Sequence, residues 1–158
     1  MDKIESFTLD HNKVVAPYVR MAGVKELKGG GKVIKYDIRF TQPNVDFLPT
    51  ATIHTIEHSL ATALRHHTEG VIDISPMGCQ TGFYVSTDSD VIGSREEFLS
   101  LLLDSMEEVL SYKEVPGATR LECGYAANHN LPAAKTALKE FLSTSEEELL
   151  SVFGVTSS

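Results

Sequence analysis

The sequence predicts an α+β domain: a largely antiparallel sheet with helices packed on one face, the other face left for water or a partner. Three observations carry this expectation. The glycine run Gly29–Gly31 separates two strand-like segments and marks a hairpin. Two later segments, VIDISPM and CQTGFYVSTD, read as a second strand pair around a Pro-Met-Gly turn. Strands and helices come in runs, without the strict alternation of a doubly wound fold.

Taken in order, residues 1–18 mix polar and apolar positions without a period and read as an irregular arm ending in APYVR. VRMAGVKEL and KVIKYDIRF are the hairpin strands. In the second, Ile34, Tyr36, Ile38 and Phe40 share the core face, and Lys35, Asp37 and Arg39 share the other. QPNVDFLPT is a loop, with Thr50 or Thr52 placed to cap a helix. Ile53, Ile56, Leu60 and Leu64 form that helix's core stripe, which ends near His66 and His67, before Gly70. SREEFLSLLLDSMEEVLSYK is the strongest helix, opened by the Ser94–Glu97 capping-box pattern. RLECGYAANHN reads as a short strand passing into a loop. LPAAKTALKEFL and SEEELLSVFG close the chain as helices, the acidic start of the second (Glu146–Glu148) favoured by the helix dipole.

With 158 residues and 42% hydrophobic content, the expectation is one domain, residues 1–158. The formal net charge of −8 gives no footprint for a phosphate backbone or an anionic membrane, so neither nucleic acid nor membrane is an expected partner. MDKIESFTLD lacks the apolar core and cleavage site of a signal peptide, so the expected place is the cytoplasm. Thiols stay reduced there, and Cys79 and Cys123 read as buried thiols, metal ligands or reactive groups.

The chemistry-bearing stretch is ATIHTIEHSL. His54 and His58 lie one helical turn apart, aim their imidazoles the same way, and sit on the flank of the core stripe. Glu57 lies between that pair and the stripe. The H-x-x-E-H spacing also occurs in metallopeptidases, where the Glu is the general base. Imidazole and thiolate together suit a zinc-like ion. Spacing leaves open which cysteine ligates: with both, the site is a closed His₂Cys₂ structural centre, and with one, the other thiol is free for acid–base work. His66 and His67 read as helix-terminal residues, and His129 as a polar loop residue with ligation the alternative. His11 reads equally as exposed or in contact with substrate. Arg39 reads as solvated, or as a carboxylate binder if a cleft forms there.

Five segments extend the pattern along nearly the whole chain: ESFTLDHNKVVAPYVRMAG, KYDIRFTQPN, HTIEHSLATALR, DISPMGCQTGFY and ECGYAANHNL. In this order they resemble the S-ribosylhomocysteine lyase family, the autoinducer-2 production proteins. The resemblance implies that His54, His58 and Cys123 hold one divalent metal, Fe²⁺ with Zn²⁺ or Co²⁺ able to substitute. Cys79 and Glu57 would be the acid–base pair, and Ser6, His11, Arg39 and Asp73 substrate contacts. It further implies a homodimer with active sites at the interface, which would account for a sheet face without helices of its own. The implied reaction cleaves S-ribosylhomocysteine to homocysteine and 4,5-dihydroxy-2,3-pentanedione. Two features depart from the pattern: HHTEGVI is a short connection, and SVFGVTSS carries no motif.

That reaction is physically coherent. Thioether cleavage becomes a β-elimination once the sugar carbonyl has migrated to the position β to sulfur. Each migration is a proton shift that needs a Lewis acid and positioned acid–base groups. The competing expectations are a small H-x-x-E-H metallopeptidase and a non-catalytic metal-stapled module.

Overall fold

The computed structural model describes residues 3–154 of the chain. Its centre is a four-stranded antiparallel sheet in the order β1-β2-β4-β3, where β1 is Tyr18–Glu26, β2 Lys32–Arg39, β3 Val71–Pro76 and β4 Gly82–Asp88. Two hairpins, β1–β2 and β3–β4, join through the central β2–β4 pairing. The first turns at Gly30 and Gly31, whose φ values of 98° and 81° lie in the region that favours glycine. Gly82 is demanded by close approach: a Cβ there would stand 2.2 Å from the Ile38 carbonyl oxygen.

Helices cover one face: α1 (Thr50–His67), α2 (Arg95–Val109) and α3 (Leu131–Leu142), with a single turn, α4 (Glu146–Leu149), after them. The predicted α1 stripe of Ile53, Ile56, Leu60 and Leu64 is buried and meets Ile34, Tyr36, Ile38, Phe83 and Val85 of the sheet. Phe98 of α2 stacks on Tyr36 with centroids 4.2 Å apart, fixing α2 over β2. The antiparallel sheet and one-sided helical layer are those the pattern predicts.

Local differences have physical causes. Neither Thr50 nor Thr52 caps α1: Pro49 takes the N-cap with no side-chain bond, and Thr52 is buried. Ser94 does cap α2, accepting from Glu97 N at 3.1 Å. RLECGYAANHN makes no strand: it is a series of turns, with Cys123 N and Glu122 N both donating to the Thr119 carbonyl. The last predicted helix shortens to α4, which Ser145 caps by accepting from Glu148 N at 3.2 Å. Residues 155–158 of the motif-free tail lie outside the described residues.

The largest correction concerns the face of the sheet away from the helices. Alternation leaves this face for water or a partner, with Arg39 solvated unless a cleft forms, yet Arg20, Asp37 and Arg39 are at most 1% exposed within the chain itself. Asp37 accepts from Arg20 Nε at 2.8 Å, Arg39 Nη2 at 2.8 Å and Arg39 Nε at 3.1 Å, so one carboxylate serves two guanidinium groups. The N-terminal arm supplies the remaining acid. Its short 3₁₀ helix, Glu5–Phe7, brings Glu5 onto Arg20, with a second contact at 3.2 Å. Buried charge persists here because it is paired and hydrogen-bonded on several sides.

Candidate metal centre and thiol pocket

His54 and His58 project from one side of α1 toward the loop that follows α2. Each Nδ1 donates to a carbonyl of that loop, His54 to Asn128 and His58 to Pro116, both at 2.9 Å. A carbonyl only accepts, so these bonds place the proton on Nδ1 and turn the Nε2 lone pairs inward. Between them sits the buried Cys123, its Sγ 3.5 Å from His54 Nε2 and 3.9 Å from His58 Nε2.

A fourth donor joins them. His129 Nε2 lies 3.6 Å from Cys123 Sγ, and its ring stacks on that of His54 at 4.0 Å. The donor atoms of His54, His58, Cys123 and His129 all fall within 4.8 Å of one another. Bond lengths of ~2.1 Å to nitrogen and ~2.3 Å to sulfur in a tetrahedron imply N···S separations near ~3.6 Å. The Sγ–Nε2 distances bracket that value, so the donor set and its spacing fit a zinc-like divalent ion. Burial first, then the neighbouring His54 and His58, holds the His129 imidazole below its ordinary pKa, which favours the neutral, ligating form.

His129 is the residue the sequence underrates. Its loop carries no periodicity, and the only sequence signal is its separation from Cys123. Thr55 reveals its placement: buried on α1, its hydroxyl lies 2.9 Å from His129 Nδ1 and accepts from Asn130 N at 2.9 Å. Asn130 also caps α3 by accepting from Ala133 N at 3.0 Å, so one junction fixes both helix start and imidazole.

Glu57 stands beside the donor group, its Oε1 4.0 Å from His58 Nε2. Glu57 and His58 line a pocket with Asp73, Arg65, Pro116 and Glu122. The exposed Asp73 accepts from Ser75 Oγ at 3.0 Å.

Cys79 lies elsewhere. It occupies the β3–β4 turn, just before Gln80 with its positive φ of 64°, and it is exposed. Its surroundings are Ser6, His11, Arg39, Met77 and Tyr84, in a pocket of about 390 Å³ under the N-terminal arm. A neighbouring hollow of about 380 Å³ adds Phe47 and Thr81. His11 Nδ1 donates to the Leu9 carbonyl at 2.8 Å, leaving Nε2 free. The structure therefore brings Ser6, His11, Arg39 and Cys79 together and leaves Asp73 and Glu57 with the metal-ligand cluster. Within one chain Cys79 is not a member of the donor group, so a His₂Cys₂ centre built from a single chain does not form.

The family model for S-Ribosylhomocysteinase (LuxS) matches residues 4–151. The chain belongs to this family. It is 45% identical over 151 residues to an S-ribosylhomocysteine lyase of Listeria monocytogenes serotype 4a, spanning 96% of each chain. It is 50% identical over 143 residues to one from Thermus thermophilus, covering 90% of each. A Staphylococcus epidermidis lyase is 44% identical over 144 residues, covering 91% of each. The S-ribosylhomocysteinase segments in this chain build both halves of the site. HTIEH on α1 and ECGYAANHN in the loop supply the donor group, while KYDIRF and DISPMGCQTGFY surround the thiol.

Proposed function

We propose that the protein is a metal-dependent carbon–sulfur lyase that cleaves S-ribosylhomocysteine to homocysteine and 4,5-dihydroxy-2,3-pentanedione, the autoinducer-2 precursor. The observation that carries this reading is the inward-facing donor set of a family member, with a carboxylate beside it and an exposed thiol on the same sheet. His54, His58 and Cys123 would hold one divalent ion, Fe²⁺ or a substituting Zn²⁺ or Co²⁺, with His129 adjacent. The ion would supply Lewis acidity for the oxygen charge that develops during the proton shifts.

The chain's own residues divide the remaining work. Glu57, next to His58, takes and returns a proton at the sugar. Cys79 does the same from its exposed turn. Ser6 and His11, beside the thiol, bind sugar hydroxyls or the amino-acid end of the substrate. Arg39 projects donors from a guanidinium already oriented by Asp37, and Asp73 accepts from a substrate hydroxyl.

The two proton carriers line different pockets, with no lining residue in common. This supports a homodimer in which the thiol pocket of one copy faces the metal centre of the other. The apolar side chains near the thiol pocket, Phe7, Val45 and Phe47, are 64–78% exposed, as an uncovered interface would be. A cytoplasmic setting keeps both thiols reduced. Among the described residues, no helix is long and apolar enough to cross a membrane.

The peptidase alternative is disfavoured by Cys123, which stands where such sites place a third carboxylate or imidazole. The reading is tested by incubating anaerobic, metal-loaded protein with S-ribosylhomocysteine and titrating the homocysteine released with a thiol reagent. Metal-dependent release supports it; intact substrate under these conditions contradicts it.

A further inference from the structure

Among the described residues, Cys79 has one polar side-chain partner, Thr81. Cys79 Sγ lies 3.0 Å from Thr81 Oγ1. Arg39 Nη1 donates to that same oxygen at 3.1 Å. A guanidinium has donors and no acceptor, so the Thr81 oxygen must accept from Arg39. The hydroxyl oxygen has a second lone pair, so a protonated Cys79 can donate to it; once the sulfur is unprotonated it only accepts, and the Thr81 proton is then the donor at 3.0 Å. Thr81 is 3% exposed, and its carbonyl is held by Phe40 N at 2.8 Å and Thr41 N at 3.2 Å, so the oxygen does not wander. Arg39 is itself fixed by its two bonds to Asp37.

We propose that Thr81 is a positioning residue: held by Arg39, its hydroxyl donates to Cys79 Sγ whenever the sulfur is unprotonated, and aims the sulfur into the pocket. Asp37 orients Arg39, Arg39 holds the Thr81 oxygen, and the Thr81 proton then reaches the reacting atom. A charge-assisted bond to sulfur strengthens as negative charge gathers there, so the arrangement serves whichever step leaves Cys79 unprotonated. The other groups facing the sulfur across the two hollows are His11 and Ser6 from the arm, Asp46 from the loop before α1 and Tyr84 from β4. The arrangement matters for catalysis only if Cys79 carries protons, so the inference rests on the lyase reading.

The test is alkylation of Cys79 by iodoacetamide at pH 7 in metal-loaded protein, compared with Thr81→Val and Thr81→Ser. Thr81→Val is expected to slow alkylation about ten-fold, and Thr81→Ser, which keeps the proton, to stay within about two-fold of wild type. In turnover, Thr81→Val should lower kcat and leave KM unchanged. A Thr81→Val protein that alkylates at the wild-type rate overturns the proposal. So does a Thr81→Ser protein that falls as far as the valine variant, since shape rather than the proton would then matter. A measurement on unmutated protein covers the case in which Thr81→Val does not fold. The Thr81 hydroxyl proton should appear as an exchange-protected NMR resonance that shifts when Cys79 is alkylated, and the absence of a shift contradicts the proposal. Full turnover in Cys79→Ala would defeat the acid–base role of Cys79, while the alkylation and NMR results would still decide the hydrogen bond.

Discussion

Pro116 and His58 are locked together: the His58 Nδ1 proton is spent on the Pro116 carbonyl at 2.9 Å, and Gly117, at φ 64°, lets the loop turn behind the ring. His58 thus presents Nε2 to Cys123 without a choice of tautomer, as His54 does through Asn128. Carbonyl partners behind both rings preorganise this donor group for a metal ion.

Removing the sulfur from that donor group should weaken its hold on a metal. Cys123→Ala is expected to lower metal affinity by about 100-fold or more, read by competition with a chromophoric chelator. His129→Ala is expected to weaken binding less, because His129 joins the cluster from a loop whose hydroxyl partner, Thr55, can accept as well as donate. Equal losses for the two variants would make His129 a full ligand.

The buried Arg20–Asp37–Arg39 group predicts a stability effect with a clear sign. Asp37→Asn leaves two buried guanidinium groups short of a carboxylate. The expected cost is about 3–5 kcal/mol, measured by urea denaturation with metal bound. A change below about 1 kcal/mol would mean the charges are solvated after all, as strand alternation alone suggests.

Glu108 carries a pH signature between α1 and α2. It bonds His66 at 2.9 Å, His67 at 3.2 Å and the Tyr112 hydroxyl. Burial works against its ionisation, but the Tyr112 and His66 hydrogen bonds prevail and hold its carboxyl below the ordinary value of 4.5. A depressed folded-state value stabilises above the unfolded one and is lost as pH falls through the folded one. Glu108→Gln should therefore cost about 0.5–1 kcal/mol at pH 6 and less as pH falls below 4.5, seen in urea midpoints at pH 6 and pH 3. An equal loss at both would assign the effect to packing.

The division between thiol pocket and metal centre predicts complementation. Inactive Cys79→Ala and Glu57→Ala proteins, mixed and allowed to exchange subunits, should recover about a quarter of wild-type turnover: half the dimers are mixed and each has one intact site. No recovery after demonstrated exchange would place both groups in a site built from one chain.

How far the sequence reveals this site depends on how local each feature is. The α1 stripe and the His54–His58 pair depend on helical period alone, so both are legible. The Ser94 cap is visible for the same reason. The roles of Asp37 and Arg39 are not, because strand alternation marks a face and cannot say that Glu5, far back in the chain, covers it. His129 escapes notice because its position follows from Thr55 on α1 and a turn-rich loop, a contact across 74 residues. The Thr81–Cys79 contact is local, but Arg39, which donates to the same Thr81 oxygen, is brought in by the β2–β4 pairing.

Homocysteine release and metal content measured together on Cys79→Ala test the central claim most directly. The account predicts one bound metal per chain, as in the wild type, and no release of homocysteine from S-ribosylhomocysteine. Full release by that variant, or loss of its metal, would contradict it.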